Sequence, residues 1–161
     1  MSIKLGTIEV NKTYSGGTQI NKMYLGDTVV FGGGGGADPY GPELIVNGDF
    51  ITDSDWSKGV GWSINTVDNR AELDGTNTGS SLLQQSGILT VGVLYEVSFT
   101  VTGYVSGSFY ARLGFSGVGT PRIANGTFVQ QITCSGNANF DILALASSEF
   151  FITNISVKEV L

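Results

Sequence analysis

Between Tyr95 and Thr102 the chain reads Tyr-Glu-Val-Ser-Phe-Thr-Val-Thr, apolar at every odd position and polar at every even one. A period of two gathers all four apolar side chains on one side of an extended backbone but scatters them around a helix, so this stretch is a strand with one buried face. Phe109, Ala111 and Leu113 alternate with Ser108, Tyr110 and Arg112 in the same manner, and Phe140–Leu145 is a mostly apolar run. Further strand signals end at turn residues: Leu44-Ile45-Val46 at Asn47-Gly48, Ala71-Glu72-Leu73 at Asp74-Gly75, and Ser81–Gln85 before Gly87. Phe150–Leu161, rich in Ile, Val and Phe, closes the series. Short strands at near-regular spacing, with no convincing helix, predict an all-β two-sheet sandwich of jelly-roll type over residues 43–161.

A run of five glycines, Gly32–Gly36, followed by Ala-Asp-Pro-Tyr-Gly-Pro, predicts a Gly/Pro linker over 32–42. As a flexible coil it would span roughly 17 to 20 Å. Before it the sequence repeats at an offset of ten: Val10-Asn11-Lys12-Thr13-Tyr14-Ser15-Gly16 aligns with Ile20-Asn21-Lys22-Met23-Tyr24-Leu25-Gly26. Ten residues suit a short strand plus a turn. Some thirty residues built this way have too little apolar surface to close a core alone, so residues 1–31 are expected to order against sister chains or another protein.

Composition removes several chemistries. The chain has no His, one Cys and a net charge of −6, so it lacks the commonest general base, any intrachain disulfide and the basic stripe of a nucleic-acid binder. Cys134 sits in an alternating segment and reads as a small core residue. The glycine run lacks the Lys-Ser/Thr of a phosphate loop, and no Ser-His-Asp set or Gly-x-Ser-x-Gly is present, so the chain is read as not an enzyme. No apolar run reaches the length of a membrane span, and no signal-peptide core opens the sequence; membrane insertion and secretion are not expected.

Glu43-Leu-Ile-Val-Asn-Gly-Asp-Phe50, Gly61-Trp62, Leu82-Leu-Gln-Gln85, Leu94-Tyr-Glu-Val-Ser-Phe99 and Ile152-Thr-Asn-Ile-Ser-Val157 together resemble the carbohydrate-binding-module superfamily with its galactose-binding-like jelly roll. The repeat ending Asn21-Lys-Met-Tyr-Leu-Gly-Asp-Thr-Val-Val-Phe31 resembles the N-terminal segments of tailed-bacteriophage virion proteins: head fibres, decoration proteins and tail adhesins. These likenesses imply a virion protein with an anchor at 1–31, in which Tyr14, Tyr24, Leu25, Val29 and Phe31 contact other virion proteins. By analogy with phage fibres they imply a homotrimer. The alternative is a carbohydrate-binding module of a polysaccharide-degrading system. Many such modules hold a structural calcium through an acid just after the Asn-Gly-x-Phe stretch and an Asp in the last strand. Here Ile51 and Thr153-Asn154 stand at those places, so no cofactor is expected, and calcium held instead among Asp49, Asp53, Asp55, Asp68 and Asp74 is the less favoured reading.

Sugar recognition needs aromatic faces and planar polar side chains. Tyr110 and Arg112 fall on the expected outward face of one strand, with Gln84 or Gln85, Asn125 and Gln130 as candidate neighbours. Trp56, Tyr104 and Phe115 fall near expected loops, where aromatics serve binding surfaces, and Trp62 is assigned to packing. The expected role is non-enzymatic: display of the module on the virion surface and weak adhesion to host glycans.

Overall fold

The computed structural model describes residues 38–161 and, before them, the backbone at 14–15, 18–19, 22–25 and 28–32. The chain divides into two compact units, residues 1–39 and 40–161. In the first, β1 (Tyr14–Ser15) pairs antiparallel with β2 (Thr18–Gln19), and β3 (Lys22–Leu25) with β4 (Thr28–Gly32). Ser15 faces Thr18 and Leu25 faces Thr28, so two sequence positions separate the innermost partners of each pair. Tyr14 and Tyr24 occupy equivalent places, opposite Gln19 and Val29. The side chains of Tyr14, Tyr24, Leu25, Val29 and Phe31, the expected anchor contacts, lie outside the described residues.

The second unit is a sandwich of two antiparallel sheets. Its strands are β5 (Tyr40–Glu43), β6 (Ser57–Lys58), β7 (Trp62–Asn65), β8 (Arg70–Asp74), β9 (Ser81–Gln85), β10 (Leu94–Ser106), β11 (Phe109–Leu113), β12 (Gly117–Val118), β13 (Gly126–Thr133), β14 (Phe140–Ala144) and β15 (Glu149–Val160). One sheet runs β13-β10-β15-β8-β7, with β5 also paired to β15; the other runs β12-β11-β14-β9-β6. The period-two alternation holds along β10, where Tyr95, Val97, Phe99 and Val101 are buried, and along β11, where Phe109, Ala111 and Leu113 are buried. These two rows face each other. Phe109 stacks on Phe150 at 4.1 Å between ring centroids and meets Phe99 edge-on at 6.4 Å, while Trp62 meets Phe150 edge-on at 5.5 Å. Such pairs add about 0.5–1.5 kcal/mol each beyond burial, and they join the sheets through rings from both. Cys134 is buried, and burial pushes its thiol pKa up.

The strand expected at Leu44–Val46 forms four residues earlier, as β5, and takes in Tyr40, Gly41 and Pro42, which the sequence reading placed in the linker; β4 likewise includes Gly32. Pro42 has no N–H for a ladder, and β5 tolerates it because it pairs only with β15, through Tyr40↔Val160 and Glu43↔Lys158. Leu44–Val46 is held differently. Leu44 N–H donates to Val157 O at 3.0 Å, and the buried Gln85 amide accepts from Val46 N–H at 3.2 Å while donating to Val46 O at 2.6 Å. A glutamine side chain here replaces a strand partner, and the burial of Ile45 explains the apolar signal.

The loop that follows turns around Asn47. Its Nδ2 donates to Thr52 O at 2.8 Å and Ser54 O at 3.1 Å, and its own carbonyl accepts from Trp56 Nε1 at 2.9 Å. Phe50 is fully buried there with φ +57°, a left-handed conformation that a bulky residue adopts only when packing imposes it.

Candidate functional site

Strand pairing places the chemistry-bearing side chains of the five-stranded sheet in rows across its outer face. Arg112 on β11 lies opposite Asp141 on β14, which lies opposite Gln84 on β9, which lies opposite Ser57 on β6. The next row along the strands is Tyr110, Leu143 and Leu82. Because alternate residues of a strand share a face, Tyr110 and Arg112 must lie on one side together, and the register brings Gln84 beside them.

The polar row is internally bonded. Arg112 donates through Nε at 2.9 Å and Nη2 at 2.8 Å to Asp141 Oδ2, and Gln84 Nε2 donates to Asp141 Oδ1 at 2.5 Å. Ser86 Oγ in turn donates to Gln84 Oε1 at 3.0 Å. Asp141 is only 1 % exposed although it sits on the outer side of its sheet. A desolvated carboxylate is tolerable only when paired and hydrogen-bonded, and both of its oxygens are so engaged. The result is a fixed guanidinium and a fixed amide, with the Arg112 Nη1 N–H groups left over and the half-buried Tyr110 in the adjoining row. Phe115, 67 % exposed on the turn after β11, stands 5.9 Å from the guanidinium carbon. At the Gln84 end a cavity of about 380 Å³ is lined by Ser57, Lys58, Gly59, Ser81, Leu82 and Gln84. The arrangement offers oriented N–H donors beside an aromatic ring, which is recognition chemistry; its single carboxylate is already bound to a cation.

Of the residues singled out in the sequence, Tyr110, Arg112 and Gln84 come together on this face. Trp56 does not: it is buried between Phe50 and Phe140, at 5.4 and 6.2 Å, so the expectation of an exposed loop aromatic is corrected. Tyr104 lies on β10 of the other sheet, where its hydroxyl donates to Gly107 O at 2.7 Å and Asn125 Oδ1 accepts from its N–H at 2.8 Å. Gln130 lies on β13, also in the other sheet, and its Oε1 accepts from Thr120 N–H at 2.9 Å. Gln85 points inward and holds Val46. Asp141 was missed. Its signal was present: it is the single acidic residue between Glu96 and Glu149 and interrupts an apolar run.

The acidic stretch resolves into separate pairings. Asp53 bonds Lys58, Asp68 receives Arg70 Nη2 at 3.0 Å, and Asp74 accepts from Thr76 Oγ1 at 2.7 Å. The hydrogen bonds from Thr76 hold the Asp74 carboxyl below its usual range. Among the described residues no three of His, Cys, Asp or Glu are grouped so as to hold a metal ion. Ile51 is exposed and Thr153 Oγ1 donates to Asn69 O at 3.1 Å, at the two places where the resemblance would put calcium ligands. Compared with family models and with curated proteins, the sequence matches none.

Proposed function

We propose that the chain is a non-enzymatic bacteriophage virion structural protein, in which residues 1–31 attach to other virion proteins and the sandwich, a jelly roll of carbohydrate-binding-module type, is displayed on the particle and adheres weakly to host-surface glycans. The observation that carries the glycan reading is the Arg112–Asp141–Gln84 row beside Tyr110. Sugar hydroxyls are bound by planar polar groups held at fixed angles, and the apolar faces of sugar rings stack on aromatic ones. A single such contact gives affinity near millimolar, about −4 kcal/mol, and adhesion follows from many copies on one particle.

The test is glycan-array binding by the full chain and by Tyr110→Ala. Tyr110 is half-buried and has no bonded partner to strand, so its removal leaves the fold intact. Retention of some glycan by the wild type and its loss in Tyr110→Ala, with unchanged circular dichroism, is the expected result. Equal retention by both removes this face from the reading. Copies of the chain counted in purified virions test the location, and their absence there favours the free carbohydrate-binding module instead.

A further inference from the structure

Asparagine followed by glycine occurs twice in the chain, at Asn47-Gly48 and Asn125-Gly126. Such a pair is open to attack by its own backbone. The amide nitrogen of the second residue can reach the side-chain carbonyl carbon of the first by closing a small ring, an intramolecular step that glycine favours because it has no Cβ to stand in the way. The two pairs share this chemistry, and their surroundings separate them. Asn47 is locked: its Nδ2, the leaving nitrogen, donates to Thr52 O at 2.8 Å and Ser54 O at 3.1 Å, and its Oδ1 accepts from Thr52 N–H at 3.3 Å. Gly48 is gripped by β15, since its carbonyl accepts from Ile155 N–H at 3.0 Å and a Cβ there would stand 2.1 Å from Ile155 O.

Asn125 is exposed, as are Ile123 and Ala124 before it, and its Nδ2 donates to no group among the described residues. Its Oδ1 accepts from Tyr104 N–H at 2.8 Å. That bond assists the reaction: negative charge gathers on Oδ1 as a nitrogen adds to the carbonyl carbon, and a backbone N–H already aimed at the oxygen stabilises it. Gly126, at φ +150°, forms the last rung of the β13–β10 ladder, opposite Val101, so fraying of a single rung frees its nitrogen.

We propose that Asn125 is a site of spontaneous covalent modification, converted by its own backbone and water to aspartate and isoaspartate, while Asn47 is protected. The Gly126 nitrogen gives up its proton to solvent base and bonds Asn125 Cγ; the Cγ–Nδ2 bond breaks, and ammonia leaves with a proton taken from solvent. Water then opens the cyclic imide. Cleavage of the new Cγ–N bond leaves an aspartate side chain on an unchanged backbone, and cleavage of the bond from that nitrogen to the backbone carbonyl carbon leaves isoaspartate, with the chain running through Cγ. Either product adds one carboxylate to a chain of net charge −6. Isoaspartate also lengthens the backbone by one carbon at the residue that anchors Tyr104 N–H.

Ageing of the full chain, folded in buffer and unfolded in guanidinium chloride, followed by tryptic peptide mapping with mass spectrometry, tests this. Trypsin separates the two sites, since Asn47 falls within 23–58 and Asn125 within 123–158. In the folded chain 123–158 gains the mass of an amide-to-acid exchange and splits into two isomers on chromatography, faster in mildly alkaline than in neutral buffer. Peptide 23–58 lags it by about tenfold or more, the rate ratio of a barrier raised by roughly 1.4 kcal/mol. In guanidinium chloride the two peptides convert at similar rates. Asn125→Gln, which keeps an acceptor for Tyr104 N–H, abolishes the gain in 123–158. Equal conversion of the two peptides in the folded chain overturns the proposal, as does a gain in 123–158 that survives in Asn125→Gln.

Discussion

Replacing Arg112 by alanine tests whether the outer-face row is a desolvated network or a set of ordinary surface contacts. The side chains of Arg112 and Asp141 are 16 % and 2 % exposed, so solvent does little to screen the pair. The substitution removes both guanidinium donors from Oδ2 and leaves the carboxylate with Gln84 alone. Breaking a buried pair by removing one partner costs about 3–5 kcal/mol, because the surviving charge stays buried without compensation. For a unit of this size each kcal/mol lowers the melting temperature by roughly 3–6 °C, so a fall of about 10–25 °C is expected. Replacing both partners by apolar residues, Arg112→Met with Asp141→Leu, removes the stranded charge and should return most of the loss. Thermal melts and urea titrations of the wild type, Arg112→Met, Asp141→Leu and the double variant give the coupling energy of the pair. A cost below about 1 kcal/mol for Arg112→Ala would place the pair in the range of solvated surface bridges and refute the argument for a rigid row. The same reasoning makes Arg112→Ala a poor probe of sugar binding, since it damages fold and site together; Tyr110→Ala separates them.

Other outcomes follow from local geometry. Burial alone would raise the Glu72 carboxyl pKa, but hydrogen bonds from Arg70 and Asn65 outweigh it and hold the group below its ordinary value. Its contribution is therefore present above the ordinary carboxylate pKa and lost as pH falls through the depressed one, so wild type and Glu72→Gln should differ in melting temperature near neutrality and converge on acidification. Gly114→Ala should destabilise strongly, because φ is +70° and the new Cβ would stand 2.2 Å from Ser135 O. Gly87→Ala, at φ +74° with nothing within 4 Å, should cost only the backbone strain, roughly 1–2 kcal/mol; equal melts for the two would contradict this. Limited proteolysis of the full chain should cut before Tyr40 and leave a fragment that retains β5; a stable product beginning after Glu43 would show that β5 is dispensable.

The alternation in β10 and β11 was legible because burial there depends only on parity along the strand, and the same parity put Tyr110 and Arg112 on one face. Choosing Gln84 over Gln85 needed the pairing of β9 with β14, which no local pattern encodes. Trp56 sits among Ser54, Asp55 and Ser57, whose polarity reads as a surface loop, and its burial comes from Phe50 nearby and from Phe140, more than eighty positions later. The Gly-Pro content of β5 argues against a strand locally, and a single long-range neighbour, β15, decides otherwise. Asp141 was visible as an anomaly, yet its meaning rests on a guanidinium supplied by an adjacent strand.

The grip of Gln85 on Val46 also governs how the module responds to a pull on the chain before Tyr40. Tension enters at β5, which is four residues long, pairs as a strand with β15 and is held by Tyr40 Oη donating to Glu96 on β10 at 2.5 Å, so once these contacts part β5 releases about 13–14 Å of chain. Once Leu44 N–H has also parted from Val157 O, the load is taken up by Val46, tied by two hydrogen bonds to a buried side chain of the opposite sheet. In a single-molecule stretching record this appears as a short early step ahead of the main rupture, and Gln85→Ala merges the two. A tether that yields by one short increment and then holds leaves the outer face of the five-stranded sheet, Tyr110 included, undisturbed under load.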